Sequence, residues 1–146
     1  MIDLVTIDFG YIGSVAEWKE GKCVNVFSWK ETDYIWQSIK RICDQIESYA
    51  CGDRAIIAIE KPPRIKYHQY VQYQDAKKII KRYKLSFTEI NVSHIRKVVT
   101  GKGRATEEEI EEAVLSSGYL AVGVVPVTDH DFDAVSVGIC YYKENE

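Results

Sequence analysis

No run of apolar residues in this chain approaches the ~20 that a helix needs to cross a bilayer. Proline is scarce, at 3 in 146 residues, and no linker-like or repeated stretch interrupts the chain. The four cysteines, Cys23, Cys43, Cys51 and Cys140, include no CxxC pair, which argues against a zinc ribbon. The opening residues Met1-Ile2-Asp3-Leu4 lack the basic stretch of a secretory signal. The thiols are therefore expected to be reduced, and the protein cytoplasmic, in a host's cytoplasm if its source is viral. What is present is a hydrophobic share of 46% beside 28% charged residues, enough to bury a core. A disordered chain is excluded, and one domain spanning 1–146 is expected.

A net positive charge is also lacking: 19 Lys and Arg stand against 22 Asp and Glu, for a formal net charge of −3. Its distribution is uneven. From Lys61 to Arg104 there are twelve Lys/Arg against only Asp75 and Glu89, so this stretch carries +10. A polyanion responds to such a local field more than to the net value. Lys77, Lys78, Lys81, Arg82, Arg96, Lys97, Lys102 and Arg104 are the candidates for nucleic-acid contact; the alternative for Lys77 to Lys84 is a plain solvated helix face.

Leu4 to Asp8 reads as a strand, and Ser14–Glu17 and Cys23–Trp29 as two more, the latter pair joined by a hairpin turn at Lys19-Glu20-Gly21-Lys22. A helix is expected from Thr32 to Ala50, with Ile35, Ile39, Ile42, Ile46 and Tyr49 on its buried face. Ala55 to Glu60 is a continuous apolar run, the pattern of a central strand covered on both faces. After the Pro62-Pro63 break come a helix over Tyr67–Lys84, a strand over Leu85–Val92 and a short helix over Ser93–Thr100 closed by Gly101. Thr106-x-x-Glu109 is a capping box that opens a further helix, and Thr128 caps the last one, running to Tyr142. Tyr119–Val127 fits either strand or packed loop. The order predicts an α/β domain, a mixed sheet with helices on both faces.

Two of the apolar strands end in an acid, Asp8 and Glu60. Burying a carboxylate there is costly without compensation. If the strands are neighbours, the two acids emerge at one edge and repel, unless a cation sits between them. The bland alternative is that each pairs separately with a lysine or caps a helix. In Asp129-His130-Asp131-Phe132-Asp133, residues three and four apart share a helix face, so His130 and Asp133 point together, with Asp129 on that face too. Asp131 points elsewhere and suits the positive helix N-terminus. Hard oxygens with one imidazole favour Mg²⁺ or Mn²⁺ over structural zinc. Taken together, Asp8, Glu60, His130 and Asp133 fit a two-metal site with ions about 4 Å apart, the arrangement that serves in-line phosphoryl displacement.

With these residues in place, the sequence resembles the RuvC-type Holliday junction resolvases of the RNase H-like fold. Ile7-Asp8-Phe9-Gly10 resembles that family's first-strand motif, and Ile57-Ala58-Ile59-Glu60 its second acidic strand. Val98-Val99-Thr100-Gly101-Lys102-Gly103-Arg104-Ala105 is similar to its glycine-rich turn, and His130-Asp131-Phe132-Asp133-Ala134 to its C-terminal motif. The resemblance implies a five-stranded mixed sheet and a homodimer that cuts four-way DNA with two Mg²⁺ or Mn²⁺ ions and no small-molecule cofactor. Asp8 would be the ligand shared by both ions, with Glu60 and Asp133 on either side and His130 where many relatives have Asp. Glu107 stands where a lysine is common, and Lys102 or Arg104 are the candidates for the missing charge. The helix after Pro63 would form the dimer contact and flank the DNA, with Tyr67, Tyr70 and Tyr73 packed in the core or at that interface, or stacked on a base. Two alternatives stay open: a nuclease for structured RNA, and an inactive module that only binds branched DNA.

Overall fold

A computed structural model describes residues 2–9, 13–29, 37, 40, 41, 43, 44, 56–61 and 67–145, with the side chains of 29 and 67–72 outside that description. Five strands form one sheet: β1 (Leu4–Asp8), β2 (Gly13–Lys19), β3 (Lys22–Trp29), β4 (Ile56–Lys61) and β5 (Phe87–Asn91). Four helices are bounded within the described residues: α1 (Tyr67–Arg82), α2 (Val92–Thr100), α3 (Glu107–Ser116) and α4 (Asp129–Glu144). The helix expected over Thr32–Ala50 lies mostly outside the described residues; 37, 40, 41, 43 and 44 are helical. Pro62-Pro63 and Cys51 lie outside them too, as do the side chains of Tyr67 and Tyr70.

The strand order is β3-β2-β1-β4-β5. β1, β2 and β3 run antiparallel through a hairpin turn in which Glu20 and Gly21 both take positive φ (51° and 75°), the handedness that suits a two-residue turn. β4 joins β1 in parallel, and β5 joins β4 in parallel. The fold is thus the expected mixed α/β sandwich.

Strand alternation sorts the core into two halves. Val5, Ile7, Ile57 and Ile59 face one side, where they pack with Phe9, Val15, Cys43 and the α1 residues Tyr73, Ala76 and Ile80. Leu4, Ala16 and Ala58 face the other, against Ile95 of α2, Ile110 and Val114 of α3, and Ala134 to Cys140 of α4. β1 is buried along its whole length because both faces are covered, which is why it reads as an unbroken apolar run ending in an acid. Tyr73 is fully buried, edge-on to Phe9 with centroids 5.9 Å apart. Of the roles open to it, this is core packing, and base stacking does not hold for it.

α4 approaches the sheet closely because Gly138 lies against Trp18. A Cβ at Gly138 would sit 2.1 Å from the indole Cζ2. Trp18 is itself fully buried, and its Nε1 donates to Thr6 Oγ1 at 2.9 Å. The Tyr119–Val127 segment is a loop with one strand-like point, where Leu120 bridges Cys23 at the sheet edge.

Candidate active site

The parallel β1–β4 register pairs Ile7 with Ile59, so the next residues along, Asp8 and Glu60, leave the sheet side by side at the same end. By alternation both project to the face covered by α2, α3 and α4. Asp8 is buried, and Glu60 is partly so.

α4 delivers the third component. Its N-terminus is fixed by a complete capping box: the Thr128 hydroxyl accepts from Asp131 N, and the Asp131 carboxylate accepts from Thr128 N. Asp131 also accepts from Val127 N at 3.0 Å and from Ser14 Oγ of β2 at 2.5 Å. Burial alone would raise its pKa; these donors overcome that and lower it. Asp131 thus has the helix-capping role expected of it, and it also ties the helix start to the sheet. Asp129 is exposed.

With the helix start clamped, His130 and Asp133 turn towards β1. His130 Nδ1 lies 2.9 Å from Asp8 Oδ2. An ionised carboxylate only accepts, so Nδ1 carries the proton in that pair. One ligating atom each from Asp8, His130 and Asp133 fall within 4.8 Å of one another. Glu60 stands outside that tight cluster but beside it, at the end of the strand next to that of Asp8, close enough for the two carboxyls to act on each other. The four residues expected from three separate stretches of sequence therefore converge.

The electrostatics are those of crowded carboxylates without a full counter-charge. Burial, then the charge of Asp8 and its hydrogen bond, push the Glu60 pKa well above the ordinary range. Asp133 rises from 3.8 to about 8, first from burial, then from the charges of Glu60 and Glu107, with Arg96 and His130 opposing. Such a group of oxygens and one imidazole suits a hard divalent cation, which would relieve the repulsion.

Two residues complete the surroundings, Arg96, expected as a nucleic-acid contact, and Glu107; their pairing beside the acids was not foretold. Arg96 of α2 donates from Nη1 to the Ala105 carbonyl and from Nη2 to Glu107 Oε1, the latter at 2.9 Å. Its charge acts on Glu60 and Asp133, so it is an internal counter-cation to the acids. Glu107, the first residue of α3, is a further carboxylate near the cluster, and its Oε2 is buried with no hydrogen-bond partner. The capping box at Thr106 was legible and places Glu107 at the helix start; its pairing with Arg96 depends on how the 101–105 turn folds back. Lys102, one candidate for the missing positive charge, pairs instead with Glu109 at 2.8 Å. The cation found beside the acids is Arg96.

The basic stretch is continuous in sequence and divided in space. Lys77, Lys78, Lys81 and Arg82 belong to α1 on one face of the sheet. Arg96, Lys97, Lys102 and Arg104 lie with α2 and its following turn on the other, the face of the acids. Lys77 is engaged by Glu89 at 2.8 Å and lies over the Tyr73 ring. Lys78, Lys81, Arg82, Lys97 and Arg104 are exposed.

No protein-family model matches the chain, and a search of curated proteins gives no match. Solved structures do match. The Thermus thermophilus RuvC structure superposes with a TM-score of 0.68 at 15% identity, covering 97% of this chain and 93% of that one. T. thermophilus RuvC in complex with a Holliday junction substrate superposes with a TM-score of 0.66 at 14% identity, covering 99% and 97%. At such identity the likeness establishes architecture, and the architecture of this chain is the RuvC-like form of the RNase H-like fold.

Proposed function

We propose that residues 1–146 form one nuclease domain that cuts branched DNA, four-way junctions above all, by divalent-metal-dependent hydrolysis of phosphodiesters. The observation that carries this reading is the meeting of Asp8, His130 and Asp133 within 4.8 Å, with Glu60 next to Asp8 at the end of the neighbouring parallel strand. The fold match to a RuvC bound to a Holliday junction supplies the substrate class. The domain would work as a homodimer, since a two-fold substrate is met most simply by a two-fold protein. A cytoplasmic setting goes with this reading; among the described residues no helix is long and apolar enough to cross a membrane.

Asp8, Glu60, Asp133 and His130 would hold Mg²⁺ or Mn²⁺, two ions in the fullest form of the site. Bound there, the metal would activate water and stabilise the departing 3′ oxygen. The protein's own residues prepare the site. Asp8 orients His130, and Asp131 with Ser14 fixes the helix start that carries His130 and Asp133. Arg96 offsets part of the repulsion among Glu60, Asp133 and Glu107. Lys97 and Arg104, exposed on the same face, would meet phosphates, and Lys78, Lys81 and Arg82 would serve strands that wrap to the opposite face.

The test is cleavage of a labelled four-way junction with Mg²⁺ or Mn²⁺, comparing wild type with Asp8→Asn. The variant should retain junction binding and lose cutting. Persistent cutting by Asp8→Asn removes that residue from the site. Preferential cutting of an RNA duplex of the same sequence would redirect the substrate assignment to RNA.

A further inference from the structure

A second group of ligating side chains lies on α2 and α4, away from the strand-end acids. His94 sits in the first turn of α2. Cys140 and Glu144 stand one turn apart on α4, on the same helical face. One ligating atom from each falls within 4.8 Å of the other two. His94 Nε2 and Glu144 Oε1 are already hydrogen-bonded. Their side chains are half exposed, at 50% and 42%, whereas Cys140 is fully buried beneath them. The cluster is thus closed on the protein side and open to solvent on the other. Along the helix axis Cys140 lies about 10 Å from Asp133, seven residues at 1.5 Å each, so the two groups share a helix and no ligand.

A buried thiol and a surface His–Glu pair are each commonplace alone. The specific feature here is that all three donors, one sulfur, one nitrogen and one oxygen, meet across two packed helices. We propose that His94, Cys140 and Glu144 bind one Zn²⁺, with water as the fourth ligand, and that the ion staples α2 to α4. A mixed S/N/O set in tetrahedral number suits zinc, while the thiolate selects against Mg²⁺. Zinc–ligand bonds of roughly 2.0–2.3 Å are reached from the present spacing by small side-chain adjustments on helices already in contact.

The protonation balance is simple. The Cys140 thiol gives up one proton and binds as thiolate, while His94 binds neutral and Glu144 binds ionised, so one proton leaves per ion bound. Burial, followed by the Glu144 charge, holds the Cys140 pKa near 12 without metal. The thiol therefore stays protonated and inert until a cation replaces its proton. The staple would act on two helices that matter elsewhere: α2 carries Arg96 two residues beyond His94, and α4 carries Asp133. Zinc would thereby fix the spacing of that pair without entering their site.

The test uses the full chain, stripped by a chelator and titrated with Co²⁺ under saturating Mg²⁺. One equivalent should produce a thiolate-to-cobalt charge-transfer band together with the visible bands of a tetrahedral centre, and added Zn²⁺ should bleach both. His94→Ala and Glu144→Gln change half-exposed side chains outside the core. Each should weaken cobalt binding by at least about tenfold, given that even outer-sphere changes at metal sites cost that much. Asp8→Asn should leave the band untouched, because the acid cluster contains no sulfur. Absence of the thiolate band in the wild type overturns the proposal. So does a band that survives undiminished in His94→Ala, which would assign the metal to a different thiol.

Discussion

The Thr6 hydroxyl donates to the main-chain carbonyl of Ala134 at 2.7 Å while accepting from Trp18 Nε1 at 2.9 Å. One buried oxygen therefore joins β1, β2 and α4. Thr6 lies two residues before Asp8, and Ala134 directly follows Asp133. The bond sets the height of the helix against the strand where the acids must meet.

Thr6→Val should lower stability by ~1–3 kcal/mol, because it leaves the buried Trp18 N–H without an acceptor and removes the strand-to-helix bond to Ala134, whose carbonyl keeps only its bond within α4. Equilibrium denaturation in urea reads this directly. Divalent affinity measured by calorimetry should fall as well, since the helix loses its reference to the strand. An unchanged midpoint would show that water or a neighbour replaces the hydroxyl at no cost.

Gly138→Ala should be more damaging than its size suggests. The added methyl would overlap the Trp18 ring at 2.1 Å, and neither the fully buried indole nor the helix backbone has room to yield. Overpacking of this kind costs roughly 1–3 kcal/mol or more. The double variant Gly138→Ala with Trp18→Phe should recover part of the loss; failure to recover any would mean that the strain lies elsewhere.

The acids give metal-free stability a definite slope with pH. The folded-state pKa of Asp133 is raised from 3.8 to about 8, so between those values the folded state keeps a proton that the unfolded chain releases. Stability then falls as pH rises across this window. Asp131 works in the opposite sense: its pKa is lowered, so its contribution is present at neutral pH and disappears as pH falls through the folded value. Thermal melts from pH 5 to pH 8.5 without divalent ions should show the decline, Asp133→Asn should flatten it, and Mg²⁺ or Mn²⁺ should remove most of it. A flat wild-type profile would contradict the crowded-carboxylate picture.

Removing the internal cation should steepen that same slope. In Arg96→Gln, Glu60, Asp133 and Glu107 lose their shared counter-charge. The variant should match wild type most closely near pH 5 and fall furthest behind it near pH 8. An equal deficit at both pH values would mean that Arg96 matters through its bond to Ala105 alone.

The division of the basic stretch between two faces separates its roles. Lys97→Ala and Arg104→Ala, on the face of the acids, should each weaken junction binding and reduce the salt dependence by about one charge. Lys78→Ala and Arg82→Ala, across the sheet, should have smaller effects on a short-armed junction. The reverse ranking, read by gel shift over a salt series, would place the DNA on the α1 face.

The sequence made the acids legible because strands report their faces every second residue, and Asp8 and Glu60 end two runs apolar enough to be central. His130 and Asp133 followed from helical spacing behind a capped start. Those are local rules. Arg96 and Glu107 were opaque because their meeting is decided by the 101–105 turn, which folds one helix back on the next. Tyr73 shares a helical face with Ala76 and Ile80, so core packing was among its readings, yet its edge-on contact with Phe9 belongs to tertiary structure. The single basic run was misleading for a related reason: charge adjacent along a chain can pass from one layer to another across a strand, as it does here across β5.

Cys23 of β3 accepts from Ala121 N at 2.9 Å and donates to the Tyr119 carbonyl at 2.8 Å. This is a short parody of a sixth strand, laid along an outer margin of the sheet. Outer margins invite recruitment of foreign backbone, the first step towards fibrous self-association. Here three residues of a connecting segment occupy the vulnerable hydrogen-bonding groups around Cys23, so the molecule guards that stretch of its rim with its own loop.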